Sequence, residues 1–464
     1  VKISLIAKNF TALLGSNFGV QALRFLTIII LARRLGSTVF GVYNYILLLW
    51  SIGFTLTEFG LKNLAIRELA QGKGSQRLIT MLFKLRIFLG LVSTAVLIGV
   101  MHFAFSSDLY LFPTLLIAST LIIDGFLSDF LLIAEEKLVA QATANILQAG
   151  IFFVGSYFFI HGEKDLTKLA GIYFLSHVIW VSMFWYSAHR IKKNLPVSSV
   201  FDNNFRSISL GGLPFLIAQF VGSIQLGMDL LLMGQFHFEN VLGDYSAALK
   251  ITGIMLGVVN ALMGAVQPRL AKHTHRFDSL EMHELVANTT RIVWVFVIPM
   301  ILVCWLIGDE LVMWFFGRKY LLAATFLRPL SISVSLFCLG LAPMHALFVA
   351  RKSKTLIRIA LFNCLISFLT ISGILYLGRP DMVGWGMVFV QAAYFLSAWS
   401  LFKFRDILIF DDLKFLLVPT ILMLFPIFLI SQIVIKVALI ILAYAAGLAL
   451  VKIWRRPWFK AILA

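Results

Sequence analysis

The chain has 464 residues, of which 60% are hydrophobic and only 13% charged, and its formal net charge is +17. A soluble domain carries roughly 45 to 50% apolar and about 25% charged residues, so a water-soluble globule is excluded. The surplus of Lys and Arg could suggest nucleic acid, but these residues collect in the short breaks between apolar stretches, which argues against that partner.

Apolar stretches of about 20 residues, each long enough to cross ~30 Å of hydrocarbon, recur from end to end, and about fourteen can be drawn. The predicted first span, Phe10 to Ile30, carries Asn17, Gln21 and Arg24 at helical spacing and lacks a small-residue cleavage site, so it reads as retained. The second, Val42 to Leu61, places Ser51, Thr55 and Glu58 on one face, with Lys62 one turn on as a partner for the acid. After the third, Ile87 to Phe105, comes the fourth, Leu109 to Ile133, where Asp124 and Ser128 share a face and Asp129 lies near the inner boundary, within reach of water. The fifth and sixth, Leu138 to Ile160 and Leu169 to Ala188, lead to a polar, basic stretch from His189 to Arg206.

The seventh, Leu210 to Met233, carries Gln219, Gln225 and Asp229, and the eighth, Tyr245 to Gln267, carries Ser246, Lys250, Gly253, Gly257, Asn260 and Gly264 along one face. The ninth runs from Ile292 to Leu306. The tenth, Leu322 to Phe348, bears Arg328, Ser331, Ser335, Cys338 and His345. Then come Thr355 to Leu377, Val383 to Leu401, Phe415 to Ile430 and Ile433 to Val451.

With the amino terminus in the cytoplasm, the basic clusters fall on the inner side: Arg67, Lys73, Arg77, Lys84 and Arg86; Arg190, Lys192 and Lys193; Arg351, Lys352, Lys354 and Arg358; Arg455 and Arg456. The outer breaks at Ser106 to Asp108 and Gly234 to Asp244 contain no Lys or Arg. This asymmetry predicts both termini inside, and attraction to anionic membrane lipids accounts for the basic surface. Cys304, Cys338 and Cys364 all lie within spans, which leaves no outer disulfide framework and no metal-ligand spacing.

The segment around Leu35-Gly36 and Phe40-Gly41-Val42-Tyr43 can be laid on Val241-Leu242-Gly243-Asp244-Tyr245, about 200 residues on, and Arg67-Glu68-Leu69-Ala70 on Pro268-Arg269-Leu270-Ala271. Equivalent turns therefore precede the second and eighth spans, which predicts two parallel lobes related by an axis along the membrane normal, with transport expected in the cleft between them. The expected division is an N-lobe over 1–188, a cytoplasmic linker over 189–206, a C-lobe over 207–402, and two further spans with a cytoplasmic tail over 403–464.

A charge at bilayer depth costs roughly 2.5 to 3.5 kcal/mol on insertion scales and marks function by default. Arg24, Lys250 and Arg328 each sit on a polar face in the outer half of a span, with Asp229 near the same level, an arrangement suited to an anion-binding cavity. Asn17, Gln21 and Asn260 share those faces as further lining groups. The buried carboxylates Asp124, Asp229 and Glu58 are candidates for coupling to H⁺ or Na⁺.

The run Leu31-Ala32-Arg33-Arg34-Leu35-Gly36 through Phe40-Gly41-Val42-Tyr43, then Phe59-Gly60-Leu61 and Ile66-Arg67-Glu68-Leu69-Ala70, resembles the amino-terminal pattern of bacterial polysaccharide transporters, the flippases for lipid-linked O-antigen repeat units. Asp229-Leu230-Leu231-Leu232-Met233-Gly234, followed by Leu242-Gly243-Asp244-Tyr245-Ser246-Ala247-Ala248 and Lys250, looks like the opening of their second lobe. The resemblance implies an all-α integral membrane fold shared with multidrug and toxin extruders and the lipid II flippase, seated in the bacterial cytoplasmic membrane. It implies an undecaprenyl-pyrophosphate-linked glycan as substrate, held by cations and moved by alternating access without covalent chemistry. Polysaccharide polymerase machinery would be a further partner. Two other readings stay open: a drug or metabolite extruder of the same superfamily, and a membrane-embedded glycan polymerase or ligase, which the short outer breaks disfavour.

Overall fold

Long runs of Leu, Ile, Val, Phe and Ala, in hydrocarbon that offers no water to backbone groups, leave the helix as the way to satisfy every N–H and C=O locally. The chain folds accordingly. The computed structural model describes residues 2–58, 62, 65, 66, 69, 75–105, 107–135, 137–193, 195–197, 205–272, 280–320, 322–350, 352–400, 416–456 and 459, and they are helical throughout apart from turns and short connections. Eleven helices among these residues are long and apolar enough to cross a membrane, so the chain is a multi-pass membrane protein.

The helices in chain order are α1 (Lys2–Glu58), α2 (Gln76–Ala104), α3 (Leu111–Ile123), α4 (Asp129–Ala134), α5 (Leu138–Phe159), α6 (Leu166–Lys193), α7 (Phe205–Leu226), α8 (Met228–Gln235) and α9 (Glu239–Lys272). They continue as α10 (Leu280–Leu306), α11 (Gly308–Phe316), α12 (Ala323–Val349), α13 (Ser353–Tyr376), α14 (Val383–Trp399), α15 (Leu417–Leu429) and α16 (Ile433–Leu450). Each apolar stretch drawn from the sequence overlaps one or more of them.

Several boundaries differ, each for a local reason. The first two predicted spans form one helix, broken at Gly36, whose φ of 73° and ψ of 170° are open to glycine but strained for a side chain. The fourth span is not a continuous rod: α3 stops at Ile123, a 3-10 turn runs over Asp124–Phe126, and α4 resumes at Asp129. Asp124 and Ser128 therefore do not share a helical face as the spacing implied. The seventh span breaks at Gly227 into α7 and α8.

The chain parts into two compact units, Val1–Gly243 and Asp244–Ala464. In the first, one core gathers Leu78, Ile79, Leu82 and Phe83 of α2 with Leu127, Phe130, Val181 and Phe184. Arg34 closes the end of α5 by donating from Nη1 to the carbonyls of Ser156, Tyr157 and Ile160 at its C-terminal turn, where carbonyls run out of helical donors. Within this unit the glycines that the internal repeat lays on one another also meet in space. A Cβ at Gly41 would lie 2.6 Å from the Gly243 nitrogen, and a Cβ at Gly243 would lie 1.8 Å from the Ser37 carbonyl oxygen. Beside them, Gln235 Nε2 donates to the Tyr45 hydroxyl at 3.1 Å.

In the second unit α10, α12 and α14 enclose a core built on Val293, Val297, Leu339, Ala342, Leu347 and Trp399. Asp244 Oδ1 accepts from the Ala323 N–H at 3.1 Å at the start of α12, and Tyr245 meets the edge of Phe326 at 5.3 Å. Of the motif residues, Phe59-Gly60-Leu61, Arg67, Glu68 and Ala70 lie outside the described residues, as do Lys73, Arg351 and positions 194 and 198–204 of the expected linker.

Candidate functional site: buried charges of the spans

Every deep charge must be paired, hydrogen-bonded or put to use, because unpaired charge at low dielectric is costly. Most charges here are paired. Arg86 Nη1 donates to the Leu127 carbonyl at 3.0 Å, closing the break between α3 and α4. Lys62 Nζ lies 2.6 Å from Asp129 Oδ2 and 3.7 Å from Glu58 Oε1. The predicted Glu58–Lys62 contact is thus present, whereas Asp129, expected to meet water, is 5% exposed and held by the same lysine.

In the second unit Arg328 Nη2 contacts Asp309 Oδ2 of α11 at 3.0 Å, with both side chains open to the surroundings. This arginine is a partnered cation near the end of its helix. Lys436 is a cation that spacing alone did not single out. It stands one turn into α16, is 5% exposed, and reaches both Glu310 carboxylate oxygens at 2.8 Å. Its signal in the sequence was a lone Lys inside an apolar stretch.

Arg24 and Lys250 behave differently. Arg24 projects from the exposed face of α1 together with Gln21, close enough to Tyr43 and Tyr173 to bear on both phenols electrostatically. Lys250 is half-buried on α9, with buried Ser246 on one side and exposed Gly253, Gly257, Asn260 and Gly264 continuing the same face. Among the described residues neither cation has a hydrogen-bonded or ion-paired acid. The side chain of Asn17 lies outside the described residues.

The candidate acids also diverge. Asp229 is 1% exposed in the first turn of α8, where its Oδ1 accepts the Leu230 N–H at 2.8 Å just after the break at Gly227. Asp124 is 2% exposed at the break in the fourth span, and its Oδ1 lies 2.7 Å from Nε2 of His177, a residue that helical spacing did not single out. Acid and histidine lie on separate spans, more than 50 residues apart, so no local pattern joins them.

Helices broken at glycines, small-residue faces and charge at depth are features that membrane transporters share. A family profile described as polysaccharide biosynthesis protein matches residues 6–274. A probable low-salt glycan biosynthesis flippase of Haloferax volcanii is 22% identical over 324 residues, which is 69% of this chain and 67% of that protein. Among solved structures, the lipid II flippase MurJ in an inward closed conformation superposes with a TM-score of 0.69 at 12% identity, covering 95% of this chain and 98% of its own. An inward-facing multidrug resistance MATE family transporter of the MOP superfamily gives a TM-score of 0.61 at 14% identity, covering 83% of this chain and 94% of its own. The fold is therefore that of these membrane transporters.

Proposed function

Because the chain belongs to the polysaccharide biosynthesis protein family, we propose that it is a flippase that carries a lipid-linked oligosaccharide across its membrane by alternating access. The resemblance of its two motifs favours an undecaprenyl-pyrophosphate-linked repeat unit such as O-antigen, and with it a bacterial cytoplasmic membrane with the amino terminus inside. The glycan-biosynthesis relative supports the same substrate class.

One observation carries the reading. Lys62, Arg86, Arg328 and Lys436 are all engaged by carboxylates or carbonyls, while Arg24 in the first unit and Lys250 in the second have no such partner among the described residues. A cation kept at depth without an acid is available to an anion that arrives from elsewhere. The doubly phosphorylated head of a polyprenyl carrier supplies one, and charge-assisted hydrogen bonds would replace the water it sheds. Gln21, one turn from Arg24, and Asn260, further along the helix face that carries Lys250, would be neutral donors to sugar or phosphate. Arg328, engaged by Asp309, has a weaker claim.

Coupling to an ion gradient would use the buried acids Asp124 and Asp229, since Glu58 is drawn to Lys62. Anionic lipids around the basic inner breaks and the glycan polymerase machinery are the proposed partners. A multidrug extruder of the same fold would take cationic guests, which two unpaired cations repel. Competition binding to the purified protein separates the two. A polyprenyl-pyrophosphate oligosaccharide should displace a labelled analogue while a cationic dye should not, and displacement by the dye alone would reverse the assignment.

A further inference from the structure

The most completely enclosed ionisable pair in the first unit is Asp124 and His177, whose side chains are 1% and 3% exposed. His177 sits in an aromatic box. Tyr173 stacks on it at 5.9 Å, while Trp50 stands edge-on at 5.9 Å and Trp180 lies tilted at 5.1 Å. Both indoles are already committed, Trp50 Nε1 to Thr120 Oγ1 at 2.8 Å and Trp180 Nε1 to Asn145 Oδ1 at 2.9 Å. Neither can serve the second carboxylate oxygen, Asp124 Oδ2, which is buried with no hydrogen-bond partner among the described residues.

Such a pair has two charge states of very different cost. With a neutral imidazole it carries a net negative charge into a dry box, and with one more proton it is neutral overall. Among the described residues of the packed helices, most ionisable groups are engaged elsewhere. α3 has no ionisable residue and α5 has only Tyr157, in its last turn. From α2, Arg86 is engaged by the Leu127 carbonyl, and Arg77, Lys84 and His102 are its other ionisable groups. Asp129 of α4 is held by Lys62, and Glu58 of α1 lies 3.7 Å from the same lysine. Of α1, Tyr43 and Arg24 bear on Tyr173 of the box, and Arg24, on the exposed face of that helix, is the cation that offsets the negative state in part.

The position of the acid matters as much as its burial. Asp124 opens the 3-10 turn that ends α3, so its charge falls on a break in a span. Close packing holds that break. A Cβ at Gly90 would lie 2.5 Å from the Leu121 carbonyl oxygen and one at Gly125 2.8 Å from the Ile87 nitrogen, while Thr94 Oγ1 donates to the Ala118 carbonyl at 2.9 Å. Breaks of this kind are where transporter helices place their ion sites.

We propose that Asp124 and His177 form a single proton-binding site and that proton uptake there, rather than Na⁺ binding, drives the conformational cycle of the transporter. The inference rests on the transport reading above. A hard cation asks for several oxygen ligands, whereas the ionisable side chains of this site are one carboxylate and one imidazole in contact with each other. A proton needs only the carboxylate and the ring.

The test uses the indoles as reporters, since a protonated imidazole quenches a neighbouring tryptophan. Intrinsic fluorescence of the full chain in nanodiscs is titrated between about pH 5 and 8, once in NaCl and once in choline chloride. The expected result is a transition that is independent of Na⁺, absent in His177→Gln and displaced in Asp124→Asn, which keeps the hydrogen bond and loses the charge. Persistence of the transition in His177→Gln, or its dependence on Na⁺, overturns the proposal. In a second arm, flipping of a fluorescent polyprenyl-pyrophosphate oligosaccharide by proteoliposomes should lose its pH dependence in Asp124→Asn, and an unchanged dependence overturns the driving role. Absence of flipping by the unaltered protein would instead count against the transport reading, while the fluorescence arm still decides whether the pair binds a proton.

Discussion

Arg34 and Arg86 illustrate what this chain does with a cation kept for structure: each guanidinium is aimed at backbone carbonyls left open by a helix end. Among the described residues Arg24 and Lys250 have no such occupation, and that contrast is the basis for the proposal that they serve a guest. Replacing either by Ala should abolish surface glycan display while the protein still reaches the membrane, whereas Arg328→Ala should leave display largely intact, as read by glycan blotting beside membrane quantification. The Lys62 contact makes the opposite prediction. Lys62→Met strands Asp129 in the interior and should cost about 3 kcal/mol, seen as a lowered melting temperature in detergent, because a buried charge that loses its partner keeps its desolvation penalty. Depth and spacing located the cations in the sequence, but what each one touches comes from separate helices, which is why the Asp309 partner of Arg328 and the Glu310 partner of Lys436 were not legible there.

Among the helices, the informative places are the breaks. Gly227 and the Asp124–Phe126 turn interrupt spans whose hydropathy runs on without a mark, so the sequence shows a continuous stretch where the backbone turns, whereas Gly36 turns the backbone in the break drawn between the first two spans. The repeat motif was legible as a pattern, and its physical content is close backbone approach. Gly243→Ala would set a methyl group against the Ser37 carbonyl, an atom that cannot swing away, and should lower the melting temperature by several degrees and open this turn to a thiol reagent at Ser37→Cys. Gly257→Ala on the same helix α9 meets open space, and its gain in helix propensity of about 1 kcal/mol should leave stability unchanged or improved. Equal melting of the two variants would mean that the glycine contact does not hold the turn.

For the molecule as a whole, composition and span length sufficed to establish an all-helical membrane protein, because hydrocarbon permits few other solutions. The net charge of +17 was likewise informative only through its distribution. Reporter fusions at 194–204 and at Gly162 should report inner and outer locations respectively if the positive-inside asymmetry sets orientation. The central claim is that Arg24 and Lys250 serve an anionic lipid-linked glycan, and reconstituted flipping tests it most directly. Proteoliposomes containing the unaltered protein should expose a fluorescent polyprenyl-pyrophosphate oligosaccharide to an external quencher, and Arg24→Ala and Lys250→Ala should each slow that exposure at least about tenfold, the loss of roughly 1.4 kcal/mol or more of interaction with the phosphates. Flipping at the unaltered rate by both variants would contradict the account.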